Sequence, residues 1–123
     1  MDFGSLYQIL RIRDEADGSA KVDIQLNVEH AIFKGHFPGN PVLPGACTVQ
    51  LLKQVLQQVR HCQLELKKGS NIKFIAVIVP GSDHVLTFDI QAKTTPDGLL
   101  SVNSTLYAGE VASMKFSGTY TIK

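Results

Sequence analysis

Residues 49–59 of this chain have the sequence VQLLKQVLQQV, in which apolar and polar side chains recur with a helical period. At 100° per residue the apolar side chains fall within one arc of about 160°. The apolar side chains are Val49, Leu51, Leu52, Val55, Leu56 and Val59. The opposite side is polar, with Gln50, Lys53, Gln54, Gln57, Gln58 and Arg60. The pattern predicts one amphipathic helix over roughly residues 44–62, whose apolar stripe must be buried against another layer of structure.

The residues before this helix favour two strands. Residues 20–28 alternate between apolar and polar side chains, which places one set on a single face of a strand: Val22, Ile24, Leu26 and Val28. A weaker strand is predicted over residues 7–13, and Asp17-Gly18 between the two has the chemistry of a tight turn. We therefore expect a hairpin.

The residues after the helix favour four more strands, over residues 71–79, 84–93, 99–107 and 110–122. Turn chemistry separates them at residues 80–83, 95–98 and 108–109. Two of the strands have a clear apolar face, formed by Leu86, Phe88, Ile90 and Ala92 in one and by Ala112, Met114, Phe116, Tyr120 and Ile122 in the other. Residues 71–79 are nearly continuously apolar, which predicts a strand covered on both faces. Joined by short turns, the four strands predict an antiparallel meander. The expected architecture is α+β, a six-stranded antiparallel sheet packed against, or curled around, one long helix.

Composition narrows the class of protein. The 123 residues are 44% hydrophobic and 19% charged, which fits one globular domain over residues 1–123. The balance of 12 basic and 11 acidic residues argues against a nucleic-acid-binding protein. No apolar run reaches the roughly 18 residues of a membrane-spanning helix. The first residues lack the pattern of a signal peptide, so we expect a cytoplasmic protein with no membrane partner.

The two cysteines agree with a reducing compartment. Cys47 and Cys62 lie about 22 Å apart if both are on the predicted helix. A disulfide within one chain requires Cα atoms within about 7 Å. Neither cysteine has a partner at zinc-ligand spacing, so we expect two small buried or half-buried thiols.

The loop before the helix is the candidate functional segment. Residues 35–45 read GHFPGNPVLPG and hold three of the five prolines and three of the ten glycines. The prolines restrict their own backbone and that of the preceding residues, so the loop is stiff. Pro44 suits the first position of a helix. A stiff loop that leads into a helix N-terminus presents free N–H groups and a positive dipole end, which can hold a developing oxyanion.

His36 is the one titratable side chain in that loop, and histidine suits proton transfer near neutral pH. The alternative is a loop histidine that only caps or hydrogen-bonds locally. His30, His61 and His84 lack comparable surroundings, and we expect them to be solvated or locally bonded. No acidic cluster accompanies them, so a metal site is not expected.

Residues 36–45 resemble the active-site signature of the 3-hydroxyacyl-acyl-carrier-protein dehydratases of fatty acid synthesis, which is His-Phe-Pro-Gly-x-Pro-x-x-Pro-Gly. Seven fixed positions at fixed spacing make the match specific. The resemblance extends along the chain to the turn at Pro80-Gly81-Ser82-Asp83. It implies a hot-dog fold, in which an antiparallel sheet wraps one long helix.

The resemblance also implies roles for individual residues. His36 matches the catalytic histidine, which removes the α-proton of a 3-hydroxyacyl thioester or returns it in the reverse reaction. The backbone N–H of Gly45 matches the donor to the thioester carbonyl, and the backbone of Val42 matches the group that orients the imidazole. An enolate-like intermediate needs such stabilisation, and one donor of this kind is worth about 3–4 kcal/mol in other enzymes.

Position 50 departs from the family pattern. The family has a glutamate or aspartate there, which donates a proton to the departing 3-hydroxyl, whereas this chain has Gln50. The family's glutamine four residues further along is present as Gln54. No acidic residue lies between Asn40 and Gln63, so no neighbour on the helix replaces the missing acid.

Three functional hypotheses remain open at this point. The first is a dehydratase-like lyase that uses His36, Gly45 and Gln50, the last as a hydrogen-bonding positioner. The second is a hot-dog thioesterase, although such enzymes usually need a carboxylate to activate water. The third is a non-catalytic subunit that binds acyl thioesters or carrier proteins and pairs with an acid-bearing paralogue.

The resemblance implies an acyl carrier protein as the partner and a homodimer or higher oligomer, because the sites of this fold form between subunits. No cofactor is required. We expect an apolar tunnel lined by loop and helix residues such as Phe33, Phe37, Val42, Leu43 and Ala46, which are alternatively simple core. Because carrier proteins are acidic, basic residues should surround the tunnel mouth. Lys34 is the nearest in sequence, and the alternative is that its charge is simply solvated.

Overall fold

A computed structural model describes residues 3–35, 39 and 41–123, with Phe3 and Gly35 described by their backbone alone. A short 3₁₀ turn, Phe3–Ser5, precedes the first strand. The helices are α1 (Ile32–Gly35) and α2 (Gly45–Arg60). The strands are β1 (Tyr7–Asp14), β2 (Ser19–Leu26), β3 (Leu64–Phe74), β4 (Val85–Thr94), β5 (Leu99–Ala108) and β6 (Val111–Ile122).

The six strands form one antiparallel sheet in the order β1-β2-β4-β5-β6-β3. The predicted turns at Asp17-Gly18 and in residues 95–98 are present, and Gly18 and Gly98 there have positive φ angles of 89° and 83°. Only glycine adopts such angles without strain, which explains the residue type at both positions. The expected α+β architecture of six antiparallel strands and one long helix is confirmed.

The core lies between the sheet and α2. Alternate side chains of β2, β4, β5 and β6 are buried on one face, as their period of two predicts. The apolar stripe of α2 packs on this face, and Leu51, Leu52, Val55 and Leu56 have no exposed surface. Val49 of the predicted stripe is half-buried at its margin.

Helix α2 is slightly shorter than residues 44–62. Pro44 is its N-cap, with extended backbone angles of −60° and 143°, rather than its first helical residue. The helix ends at His61, whose left-handed φ of 54° turns the chain toward β3 while its N–H donates to the Gln57 carbonyl. Cys62 therefore lies just beyond the helix. Cys47 is buried and Cys62 is half-buried, and both are free thiols, as expected.

The prediction for the first strand after the helix is wrong. The strand is β3, Leu64–Phe74, and it is an edge strand paired only with β6 rather than a strand covered on both faces. Its ladder ends after Phe74 because the Ser113 carbonyl accepts hydrogen bonds from the N–H groups of both Ile75 and Ala76. Residues 75–79 continue beyond the strand, and of these only Ile78 is buried.

The predicted four-strand meander is also wrong in its connections. Only β4, β5 and β6 form a meander, whereas β3 lies at the far edge beside β6 and β4 pairs with β2. The chain between β3 and β4 is a longer crossing segment of residues 75–84. The turn predicted at residues 80–83 is present within it, where the Val79 carbonyl accepts the N–H groups of Ser82 and Asp83. Two apolar residues predicted to face the core are exposed. Val28 lies beyond the end of β2, and Ile122 is the last residue of β6.

Candidate active site

A cavity of about 320 Å³ lies where the chain enters α2. Its walls come from three places: the start of α2, the crossing segment after β3, and β6. The lining residues are Val42, Leu43, Pro44, Gly45, Thr48, Phe74, Ile75, Ala76, Val77, Ile78 and Ser113. Most of these are apolar, so the cavity suits a ligand with a hydrocarbon portion.

Backbone hydrogen bonding fixes the entry to α2. Leu43 and Ile78 form an isolated antiparallel bridge, in which the Leu43 N–H donates to the Ile78 carbonyl at 2.9 Å. Pro44 follows with its φ locked by the ring, and no side chain caps the helix start. The N–H groups of Gly45 and Ala46 have no acceptor within the helix because they belong to its first turn. The positive end of the helix dipole therefore lies at the cavity wall.

Gly45 also permits a close approach that a larger residue would block. A Cβ atom at position 45 would lie 2.9 Å from Cδ1 of Phe74, which is shorter than real contacts of this kind. The Phe74 ring therefore packs directly on the backbone of Gly45, although 57% of Phe74 is exposed. The ring is therefore one wall of the cavity, in contact with the first residue of α2.

Two buried groups near the helix start are not available as nucleophiles or ligands. The Thr48 hydroxyl donates to the Gly45 carbonyl at 2.6 Å, so its proton is already used. Burial raises the pKa of the Cys47 thiol, which keeps it protonated and unreactive at neutral pH. No group of three or more His, Cys, Asp or Glu side chains in the described ranges is arranged to hold a metal ion.

The structure brings together some of the residues that the sequence singled out. Val42, Leu43 and Gly45 all line the cavity. His36 and Phe37 lie outside the described residues, so their predicted roles stay predictions. Three helical residues are not among the lining residues: Ala46, which is exposed, and Gln50 and Gln54, which are half-buried.

The remaining predicted residues lie elsewhere. Phe33 is buried in the core and does not line the cavity, in keeping with the alternative of simple core. Lys34 is exposed on α1. His30 is locally bonded, as expected, since its Nδ1 accepts the N–H of Ile32. His61 and His84 are exposed.

Sequence analysis missed the far wall of the cavity. Phe74, Ile75, Ala76 and Val77 belong to the apolar run that was assigned to a buried strand. The available signal was that this run has no period of two, which sets it apart from the half-buried strands of the sheet. Ser113 was missed because a lone serine in a strand carries no signal of its own.

Comparison with solved structures defines the fold. The dehydratase heterocomplex ApeI:P from Xenorhabdus doucetiae superimposes with a TM-score of 0.73 and 19% identity, covering 93% of this chain and 96% of that chain. A thioesterase from Staphylococcus aureus matches with a TM-score of 0.68 and 12% identity over 98% of this chain and 95% of that one. At these identities the likeness establishes the fold alone, which is the hot-dog fold.

Sequence comparison is more specific. Residues 12–117 match the model of the ApeI-like family, described as ApeI dehydratase. The 3-hydroxyacyl-acyl-carrier-protein dehydratase FabZ of Acetivibrio thermocellus is 32% identical over 112 residues, which is 84% of this chain and 75% of that protein. The FabZ of Alkaliphilus metalliredigens is 32% identical over 99 residues, or 73% of this chain, and the match spans 65% of the relative's length. The chain belongs to the ApeI-like dehydratase family.

In the part of the chain that the structure describes, no helix has both the length and the apolar character needed to cross a membrane.

Proposed function

We propose that this protein acts as a hydro-lyase on 3-hydroxyacyl thioesters carried by an acyl carrier protein, in fatty acid or polyene-type synthesis. One observation carries the proposal. The helix start that the signature matches as the oxyanion donor, Gly45, lines an apolar cavity and presents its N–H at the positive end of α2. Family membership supports the reaction class.

The proposed reaction places a proton transfer on His36. Its imidazole removes the α-proton, and the electron pair of the C–H bond moves toward the thioester carbonyl. The Gly45 N–H donates to the carbonyl oxygen as negative charge develops there. The double bond forms between the α- and β-carbons as the β-carbon–oxygen bond breaks. The departing hydroxyl takes a proton from the imidazolium and leaves as water, so one histidine serves as base and then as acid.

We assign both proton transfers to His36 because the residue at position 50 is a glutamine rather than an acid. An amide side chain donates hydrogen bonds but cannot give up a full proton to a leaving group. Gln50 lies half-buried on the second turn of α2, and α2 contains no acidic residue. We therefore assign Gln50 the role of positioning the 3-hydroxyl or a water molecule. The other proposed substrate contacts are Phe37, Val42, Leu43, Ala46 and Gln54.

A second candidate is a non-catalytic subunit that completes its site with an acid-bearing paralogue. Gln50 favours it, and a solved protein of the same fold is described as a dehydratase heterocomplex. Such a subunit binds acyl thioesters and turns over only with its partner. A thioesterase has weaker support, because neither α2 nor the described lining residues supply a carboxylate to activate water.

We further propose a homodimer or higher oligomer in the cytoplasm. The support is the exposed apolar surface of residues 74–79, which extends from the edge strand β3 beside the cavity. Contiguous exposed apolar surface of this kind marks contact with another molecule. A second subunit seated there would also enclose the cavity.

The decisive experiment is a spectrophotometric assay of the hydration of a trans-2-enoyl thioester. We expect the wild type to hydrate the substrate and His36→Ala to lose about 100-fold or more, the usual worth of a positioned acid–base group. The matched control is His84→Ala, because His84 is exposed and does not line the cavity. It should keep full activity.

Other outcomes discriminate the candidates. Full activity in His36→Ala contradicts the proposed mechanism. A silent wild type together with an active Gln50→Glu identifies the missing carboxylate and supports the paired-subunit candidate. Release of free thiol from a saturated acyl thioester, measured in the same samples, would identify a thioesterase.

A further inference from the structure

The Ser113 hydroxyl is buried without a hydrogen-bond partner among the described residues. Ser113 is only 2% exposed, and its Oγ contacts no donor or acceptor in this part of the chain. Two other buried hydroxyls are paired: Thr48 donates to the Gly45 carbonyl, and Ser104 donates to the Asp89 carbonyl at 3.0 Å. The Tyr120 hydroxyl is the second unpaired one, and it does not line the cavity. Leaving such a group unpaired is destabilising, so its retention calls for a physical reason.

The backbone places this hydroxyl on the inner side of the sheet. In the β5–β6 ladder Leu106 pairs with Met114, and Tyr107 pairs with Ala112, which leaves Ser113 as the extra residue of a bulge. A regular strand would point Ser113 and Met114 to opposite faces, yet both are buried. A bulge re-aims a side chain in this way, and bulges are frequent beside active sites.

Hydrogen bonds hold the bulge against the end of β3. The Ser113 carbonyl accepts the N–H of Ile75 at 2.9 Å and that of Ala76 at 3.3 Å. Both of these partners line the cavity, as does Ser113 itself. The serine is therefore fixed in the wall by its backbone, while its side-chain hydroxyl stays uncommitted.

The lining of the cavity limits which kind of ligand could pair with the Ser113 hydroxyl. Among the described lining residues, the only other side-chain hydroxyl is that of Thr48, and it is already paired. Phe74 and Ile75 line the same cavity, and both are more than half exposed, so their side chains can move without disturbing the core. A ligand that fits has an apolar chain and one acceptor group near the start of α2.

We propose that the Ser113 hydroxyl donates a hydrogen bond to the carbonyl oxygen of the acyl thioester, beside the N–H of Gly45. This inference rests on the proposed function. A carbonyl oxygen has two lone pairs and accepts two donors. The second donor strengthens as negative charge grows on the oxygen, so Ser113 stabilises the enolate-like state as well as the bound substrate.

The test compares two ligands that differ in that oxygen alone. One is octanoyl-pantetheine, a saturated thioester that cannot be dehydrated. The other is S-octyl-pantetheine, the thioether in which a methylene replaces the carbonyl. We expect Ser113→Ala to weaken thioester binding roughly 3- to 10-fold, the worth of one hydrogen bond, and to leave thioether binding unchanged. Titration calorimetry measures both affinities.

Two control variants separate this role from a structural one. Ser104→Ala makes the same change at a buried serine that has a partner, so it should lower stability and keep the thioester-to-thioether ratio. Tyr120→Phe removes the other unpaired buried hydroxyl, which does not line the cavity, so it should also keep the ratio. Ser113→Ala should keep or raise the urea midpoint, because an unpaired polar group is removed. If the alanine variant folds poorly, Ser113→Cys repeats the test, because cysteine is similar in shape to serine but its thiol is a weak hydrogen-bond donor.

The outcomes are distinct. The role of Ser113 is overturned if both Ser113 variants keep the wild-type ratio of thioester to thioether affinity, which includes an equal loss of affinity for both ligands. The proposed function then still stands. If the wild-type protein binds neither ligand, the proposed function fails and this inference fails with it.

Discussion

Two apolar segments of this chain have opposite surroundings. The stripe of α2 packs against the sheet, and its central residues Leu51, Leu52, Val55 and Leu56 have no exposed surface. The apolar segment of residues 74–79 is mostly exposed, up to 65% at Val77. The helix carries a polar face opposite its stripe, so its sequence pattern predicts which side of α2 packs against the sheet. The second segment has no such period, and its exposed apolar side chains are the support for the proposed subunit contact.

The largest expected effect is at the buried stripe. Leu56→Ala should cost about 2–5 kcal/mol in the free energy of unfolding, because the substitution leaves a cavity between α2 and the sheet. Urea denaturation followed by circular dichroism measures it. The matched control is Leu10→Ala, since Leu10 is 45% exposed on the edge strand β1 and should lose less than about 1 kcal/mol. Equal losses would show that the two environments do not differ as described.

An intermediate effect is expected where the two segments touch. Gly45→Ala should destabilise the protein by about 1 kcal/mol, because the new Cβ collides with the Phe74 ring, which must rotate. Combining it with Phe74→Ala should remove most of that cost, giving a coupling of about 0.5–1 kcal/mol in a double-mutant cycle.

The control for this cycle is Gly81→Ala. A Cβ there meets nothing within 4 Å, and its backbone has no positive φ, so stability should not fall. Additive effects of Gly45→Ala and Phe74→Ala would contradict the contact between the ring and the helix start.

The smallest effect on folding, and the largest on assembly, is expected at Val77. Val77→Asp should change the unfolding free energy of the separated chain by less than about 0.5 kcal/mol, since the side chain is exposed. The same change should dissociate the oligomer, which sedimentation velocity detects. Val111→Asp is the control, because Val111 is 58% exposed but lies outside the apolar segment, at the start of β6. A monomeric wild type, or an oligomer unaffected by Val77→Asp, would show that this segment is not a subunit contact.

The sequence predicted the elements that carry a period. Helix α2 and the inner faces of β2, β4 and most of β6 follow from repeats of about 3.6 and 2 residues, because each of these elements buries one side against a single neighbouring layer. The bounds and pairing of β3 were not predicted, because its middle, Lys67 to Asn71, is polar. Its pairing with β6 is set by long-range contacts rather than by its own residues. The signature singled out Gly45 as a backbone donor, and the structure places Gly45 in the cavity wall. Nothing in the sequence singled out Ser113, because a bulge depends on how two strands pair and not on the residues of one strand.

The position of β3 has a consequence for the order of folding. Ala108 pairs with Val111 across a tight turn, whereas Phe74 pairs with Met114 and Leu64 with Ile122. The β4–β5–β6 meander closes through short loops, while β3 must wait for the last strand to be synthesised. Until then the apolar residues 74–79 follow an unpaired strand, which is the condition that favours aggregation of nascent chains. A chain that ends before Val111 leaves β3 without any partner in the sheet.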